Sequence, residues 1–323
     1  DVDRAHTMIT SGYYPNLVVL DVRYKYEYDS GHIYGAVWIP LSELEARIGE
    51  LAGHENHEII VYCKSGGRSA TASTILDSHG FTKVYNMLGG ITAWESSGYP
   101  VWIATVHNIN TTFNYDTIQA SIDAPQTLDG HIIRVDSETY YEHVTLHKSL
   151  SLIGENRITT IIDGKETGTV VNVTASDALI ANFTVRKSGS NSNDSGIRLH
   201  ASHCNITNNV VVANYYGIYV WTSSNNNIIH KNDITSNYCG AILTSCSNNR
   251  ISRNNIITNT KCGILFHYTS NNTLKDNVFA NNRYNFGVNG SELSHFVHDI
   301  DISNTVNGKR MYYLISQSDL MVP

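Results

Sequence analysis

Glu58-Ile59-Ile60-Val61-Tyr62-Cys63-Lys64-Ser65-Gly66-Gly67-Arg68-Ser69-Ala70-Thr71-Ala72-Ser73-Thr74-Ile75-Leu76 places a cysteine in a short Gly-rich loop between an apolar, β-branched run and a helical one. Residues 58–62 have the composition of a strand buried on both faces, and 69–76 read as the first turns of a helix. The loop therefore lies at a helix N-terminus. Unpaired backbone N–H groups and the positive end of the helix dipole converge there, which favours a thiolate at Cys63. Gly66 and Gly67 allow the backbone conformations that turn several N–H groups toward one bound atom, and Arg68 adds a fixed positive charge.

Upstream lie Leu20-Asp21-Val22-Arg23, Glu27-Tyr28, Gly31-His32-Ile33 and Gly35-Ala36 with Ile39-Pro40; downstream lies Tyr85-Asn86-Met87-Leu88-Gly89-Gly90-Ile91-Thr92-Ala93-Trp94. In order and spacing, over roughly residues 1 to 102, these motifs resemble the rhodanese superfamily. The resemblance implies a small α/β domain with a central parallel sheet, in which Cys63 is the nucleophile and carries sulfane sulfur as a persulfide. It also implies that the backbone of Lys64, Ser65, Gly66, Gly67 and Ser69 cradles the terminal sulfur. Arg68 would stabilise the anion or steer an anionic donor such as thiosulfate, with a thiol or a cyanide-like nucleophile as acceptor. Cysteine phosphatases that resemble this fold place their arginine six positions after the cysteine, whereas Arg68 follows Cys63 by five. The tighter cradle suits one sulfur atom better than a tetrahedral oxyanion. Asp21, Arg23, Glu27 and His32 are of acid-base type, but their family counterparts are mostly structural. Asp21 is expected to tie down Arg23 or nearby backbone, and His32 to satisfy carbonyls in its turn.

Composition changes near Ala104: residues 1–104 hold three asparagines and residues 105–323 hold thirty-one. The boundary divides an N-terminal domain, 1–104, from a second, 105–323. In the second, an apolar anchor recurs at Ile206, Ile229, Ile251 and Leu274, spaced by 23, 22 and 23 residues. Asn209, Asn232, Asn254 and Asn277 follow each anchor by three, and Val211, Ile234, Ile256 and Phe279 follow by five. A glycine comes later in each turn, at Gly217, Gly240, Gly263 and Gly287. A fixed period with short alternating apolar runs predicts a solenoid with one coil per repeat. Leucine-rich and helical repeats do not fit, because leucine is scarce and no stripe of period 3.6 runs through the coils. The pattern predicts a right-handed parallel β-helix. Cys204, Asn227, Asn249 and Asn272, each two residues before an anchor, are expected to stack at the ~4.8 Å strand spacing as a ladder.

Before the repeats, residues 116–123 form a capped amphipathic stretch, expected as a helix covering the first coil. The runs 132–135, 140–146, 150–154 and 160–164 then resemble the opening of pectin-lyase-like β-helices. The later repeats resemble the NosD-type periplasmic copper-binding family and related archaeal cell-surface proteins, over roughly residues 108 to 323. A sugar-cleaving site is not expected, since Asp163, Asp177, Asp194 and Asp233 fall in different repeat positions. No cofactor is predicted. Copper is implied only by the resemblance, and the pairs His143/His147, His200/His203 and His295/His298 could share a metal only within a turn.

The net charge is −7, with no basic patch that would suggest a nucleic acid, and no apolar run long enough to span a membrane is present. The start at Asp1 is read as removal of a signal peptide or trimming. An Asn-, Ser- and Thr-rich β-helix then predicts an extracellular, cell-surface or periplasmic protein, with sequons for N-glycosylation at Asn110, Asn172, Asn182, Asn193, Asn205, Asn271 and Asn289. Cys239 and Cys262 occupy equivalent places one coil apart, which leaves a disulfide or a stack of buried thiols open. Residues 312–323 read as strand and turn with no capping helix. Two functions follow from the residues together with the resemblance. One is a secreted sulfur carrier joined to a binding or assembly module. The other is a surface-layer, sheath or filament subunit that self-associates through the β-helix ends, with the rhodanese-like domain as scaffold. Copper or glycan binding by the coils is a further alternative.

Overall fold

Residues 59–62 are buried because their strand is covered on both faces. The computed structural model describes residues 1–111 and 113–315. Its first unit, Asp1–Ala104, contains β1 (Val18–Asp21), β2 (Val37–Trp38), β3 (Glu58–Tyr62) and β4 (Lys83–Asn86). They form a parallel four-stranded sheet in the order β2-β1-β3-β4. The helices are α1 (Val2–Thr10), α2 (Lys25–Asp29), α3 (Leu44–Arg47), α4 (Gly67–Ser78) and α5 (Gly90–Ser96). Along β3 the side chains alternate. Ile60 and Tyr62 pack with Met8, Ile91 and Trp94, while Ile59, Val61 and the following Cys63 pack with Leu44, Ala72 and Leu76. Each fully buried aliphatic side chain contributes about 1.5–3 kcal/mol. A one-residue slip would exchange the two faces, so the register of β3 is fixed by this burial.

The second unit, Thr105–Pro323, is built of three sheets with ten, nine and seven strands. Each coil gives one strand to each sheet. One coil, for example, supplies Asn205–Thr207, Val210–Val212 and Tyr216–Val220, and the next supplies Ile228–His230, Asp233–Thr235 and Cys239–Thr244. As the period predicts, the anchors pair in register, Ile206 with Ile229, Ile229 with Ile251 and Ile251 with Leu274. Val211, Ile234, Ile256 and Phe279 pair likewise. All eight are fully buried in one continuous core. The recurring glycine has a steric cause: a Cβ at Gly240 would stand 2.5 Å from the Gly263 carbonyl oxygen and 3.0 Å from Asn259 Nδ2.

Asparagine closes the corners of the coils. Asn209 N–H donates to Asn232 Oδ1 at 2.9 Å, Asn232 N–H to Asn254 Oδ1 at 2.9 Å and Asn254 N–H to Asn277 Oδ1 at 3.1 Å. Each side-chain amide also donates across coils, as Asn232 Nδ2 does to the Ile206 carbonyl at 2.8 Å. A second ladder runs from the Cys204 N–H through Asn227, Asn249 and Asn272 and ends on His298 Nδ1. A third, through Asn214, Asn237, Asn259 and Asn282, obeys the same spacing but does not stand out from the sequence as the other two do. A buried N–H without a partner costs about 1–3 kcal/mol, which explains why asparagine accumulates.

At the N-terminal end, α6 (Ile118–Asp123) is shorter than the 116–123 stretch. Thr117 Oγ1 caps it by accepting the Ala120 N–H, and the Glu142 carboxylate accepts the N–H groups of Ile118 and Gln119. Ile118 and Ile122 enter the core. At the other end, Thr305–Val306 and Lys309–Arg310 pair antiparallel as a hairpin. The strand expected within 312–323 is not formed at residues 312–315. Residues 316–323 of that stretch lie outside the described residues. Cys239 and Cys262 are register partners with Cα atoms 4.5 Å apart, and they are joined in a disulfide.

Candidate active site

The chain leaves β3 at Tyr62, turns through Cys63, Lys64 and Ser65, and enters α4 across Gly66. Gly66 adopts φ +109°, a region that side chains other than glycine rarely tolerate. Behind the loop, the first turn of α5 holds it in place: the Ile91 N–H donates to the Cys63 carbonyl at 2.9 Å and the Thr92 N–H to the Lys64 carbonyl at 3.1 Å. This needs Gly90, because a Cβ there would collide with both carbonyls.

Cys63 is almost fully buried. Its Sγ accepts the Gly66 N–H at 3.2 Å and lies 3.4 Å from the Ser69 hydroxyl. Burial pushes the thiol pKa up. Hydrogen bonds from the Ser69 hydroxyl and from the N–H groups of Ser69, Gly66 and Ser65 outweigh it, so the thiol lies below the ordinary cysteine value. The Ser69 hydroxyl is also 2.7 Å from Asn86 Oδ1, and Asn86 Nδ2 donates to the Gly66 carbonyl at 3.2 Å. One hydroxyl proton cannot serve both acceptors. Ser69 therefore gives its proton either to Asn86 or to the sulfur, according to the charge on the sulfur.

Lys64 is exposed at the loop surface. Arg68 faces Glu27: its two N–H groups donate to the carboxylate at 2.6 and 2.8 Å, and the guanidinium lies 5.1 Å from the centroid of the Tyr24 ring. Asp21 and Arg23 form a buried pair, with Arg23 also donating to the Gly31 carbonyl at 2.7 Å. The His32 ring stacks on Tyr28 and its Nδ1 is 3.0 Å from the Tyr28 carbonyl. Asp21, Arg23 and His32 thus tie the turn around Gly31 to Tyr28 and to the end of β1, and Cys63, with donors from Ser65, Gly66 and Ser69 around its sulfur, forms a polar cradle. Asn86 and Gly90 belong to it as well, although the sequence marks them only as parts of a motif.

The model of the rhodanese-like domain matches residues 2–97, and that of the periplasmic copper-binding protein NosD matches residues 76–312. The chain belongs to the NosD family. Ahead of the NosD coils it carries a rhodanese-like domain, and its curated relatives include sulfurtransferases. YrkF of Bacillus subtilis, named as a candidate sulfur carrier protein, is 46% identical over 24% of this chain and 42% of its own length. Thiosulfate sulfurtransferase 16 of Arabidopsis thaliana chloroplasts is 35% identical over 30% of this chain and 85% of its own. A sulfurtransferase of Allochromatium vinosum is 31% identical over 27% and 78%. The chain thus spans less than half of the Bacillus relative.

NosD is by its description periplasmic and copper-binding, so the coils can be tested for a metal site. Among the described residues, no group of three or more His, Cys, Asp or Glu side chains is placed to hold a metal ion. His143 is within hydrogen-bond distance of the Thr169 carbonyl and the Thr167 hydroxyl, His200 stacks on Trp221, and both ring nitrogens of His298 have partners. Among the described residues, the side chains present do not fit a copper centre. No helix among the described residues is long and apolar enough to cross a membrane. Of the sequon asparagines, Asn110, Asn193, Asn271 and Asn289 are exposed, whereas Asn172, Asn182 and Asn205 are half-buried.

Proposed function

We propose that this NosD-family chain is an exported sulfur carrier. Cys63 takes a sulfane sulfur as a persulfide and hands it to a thiophilic acceptor, while the coils serve as a binding or assembly module. The observation that carries the reading is the Cys63 sulfur at the N-terminus of α4, its pKa lowered by the loop's donors despite burial. With thiosulfate, the Cys63 thiolate attacks the outer sulfur; the Cys63 S–S bond forms as the S–S bond of thiosulfate breaks, and sulfite leaves with the electron pair. An acceptor such as cyanide then attacks the terminal sulfur, giving thiocyanate and restoring the thiolate. Export is supported by the Cys239–Cys262 disulfide, which persists in oxidising compartments, and the exposed sequons could then carry glycans. The test is thiosulfate:cyanide sulfurtransfer with intact-mass detection of an adduct of roughly 32 Da on Cys63. Turnover and adduct, both lost in Cys63→Ser, support the reading; a reduced, folded chain that takes up sulfur neither from thiosulfate nor from a persulfide donor removes it.

Assembly into a sheath or filament is a second reading. It draws on Tyr284–Asn289, the last strand of the seven-stranded sheet, which has no strand on its outer edge among the described residues. Polymers in electron micrographs would support this reading, and a monodisperse monomer at high concentration would count against it.

A further inference from the structure

An inorganic dianion and a carbon-bound persulfide ask different things of the Cys63 loop. Thiosulfate brings two negative charges up to a thiolate, and like charges at contact distance in a partly dry site repel strongly. Counter-charge has to offset this. The guanidinium placed to supply it is already engaged: Arg68 gives a bidentate pair of N–H groups to Glu27, with side-chain exposures of 27% and 13%. The couple is close to neutral. Around it lie the exposed ammonium of Lys64 and a set of exposed apolar and aromatic side chains. Tyr24 is 56% exposed and Tyr26 72%, with their rings stacked at 5.9 Å, and Leu88, 64% exposed, has its backbone beside Gly66. Exposed side chains of this kind at the mouth of a buried thiol suit an organic group better than a sulfonate.

We infer that Glu27 is a positioning residue that sets donor choice: by holding Arg68 it makes the site load from a carbon-bound persulfide in preference to thiosulfate, with the organic group resting on Tyr24, Tyr26 and Leu88. The inference rests on Cys63 being the carrier. In the loading step the Cys63 thiolate attacks the terminal sulfur of R–S–S⁻. The new S–S bond forms on Cys63, the bond between the two donor sulfurs breaks, and R–S⁻ leaves with the electron pair and takes a proton from water. No oxidant or reductant is needed.

The experiment measures single-turnover sulfur loading of the full chain by intact mass, with thiosulfate and with glutathione persulfide, for the parent, Glu27→Gln and Glu27→Asp. The parent is expected to load from glutathione persulfide about tenfold or more faster, in kcat/KM, than from thiosulfate. Glu27→Gln frees Arg68 and should raise thiosulfate kcat/KM about tenfold, mainly through KM, while changing persulfide loading less than about threefold. Glu27→Asp, which keeps the charge, should retain the parent preference. Loading from both donors with an unchanged ratio in Glu27→Gln overturns the inference and leaves the carrier reading standing; no loading of the parent by either donor overturns the carrier reading itself. Should Glu27→Gln fail to fold, the salt dependence of Lys64→Gln, which lacks the loop's exposed ammonium, decides. A neutral couple predicts less than about a twofold change in its thiosulfate loading between low and high salt, and a tenfold fall would show a free, steering guanidinium and overturn the inference.

Discussion

The Cys63 loop and the corners of the coils face the same problem and answer it in opposite ways. Both are places where the chain reverses and backbone N–H groups lose their strand partners. In the coils, an asparagine from the next turn fills each vacancy for good, as Asn232 Oδ1 does for the Asn209 N–H. In the loop, the Gly66 N–H is aimed at the Cys63 sulfur, an atom whose charge and substituents can change. One arrangement spends its donors on stability, and the other keeps them for chemistry. The difference teaches where a reactive centre can sit: at a turn whose donors are not already filled by an amide from a neighbouring turn.

The sharpest way to break the comparison is to remove the atom that the loop serves. Cys63→Ser is expected to lower sulfurtransfer by at least about a thousandfold, measured as thiocyanate release, with little change in the melting of the coils. The matching change in the coils is Asn232→Leu. It leaves the Asn209 N–H and the Ile206 carbonyl without their partners, and about 2–5 kcal/mol should be lost in denaturant unfolding. A loss below about 0.5 kcal/mol would show that water replaces the ladder.

The buried thiols sharpen the contrast further. Cys246 is pushed up to about 12 by burial alone, which the few donors around it do not offset. Cys63 is shifted the other way. Folding shifts the Cys63 equilibrium toward the thiolate, so its alkylation should reach half-maximal rate below the ordinary cysteine value. The stability it contributes is present above the unfolded pKa and is lost as pH falls through the folded one. At mildly alkaline pH, alkylation followed by peptide mapping should therefore label Cys63 well ahead of Cys246 and Cys204; equal labelling would refute the opposed shifts. The smallest effect is expected from Asn86→Ala, which releases the Ser69 proton to the sulfur. The midpoint of Cys63 alkylation should move to lower pH and the rate near neutrality rise about two- to fivefold. A move to higher pH would instead mean that Asn86 acts chiefly by holding the Gly66 carbonyl.

The sequence made the coils legible because a repeat writes every contact many times. The spacing of Ile206, Ile229, Ile251 and Leu274 is itself the strand register. The Cys63 loop was legible for another reason: strand, glycine turn and helix are consecutive in the chain, so their geometry is local. The Glu27–Arg68 pair was not legible. It joins α2 to α4 across 41 residues, and which carboxylate meets a given arginine depends on how two helices settle on the sheet. Read alone, Arg68 five residues after Cys63 looked like a ligand for an incoming anion. Asn86 escaped notice in the same way, because its partners Ser69 and Gly66 belong to another element. At the C-terminal end, residues 312–323 read as strand and turn, but a strand needs a neighbour, and residues 312–315 form none.

The asparagine ladders have a direction. Each coil's corner is completed by the coil that follows, so every turn hands its unfinished edge forward, and the last must end on something different. His298 does so in one ladder, its ring nitrogen standing where another amide would be. Such a molecule has a grammar of whole units: removing residues 228–249, one complete coil, would leave each sentence of the ladder readable, whereas removing half a coil would leave none. Length can therefore be revised by the clause, with the punctuation at the end left in place.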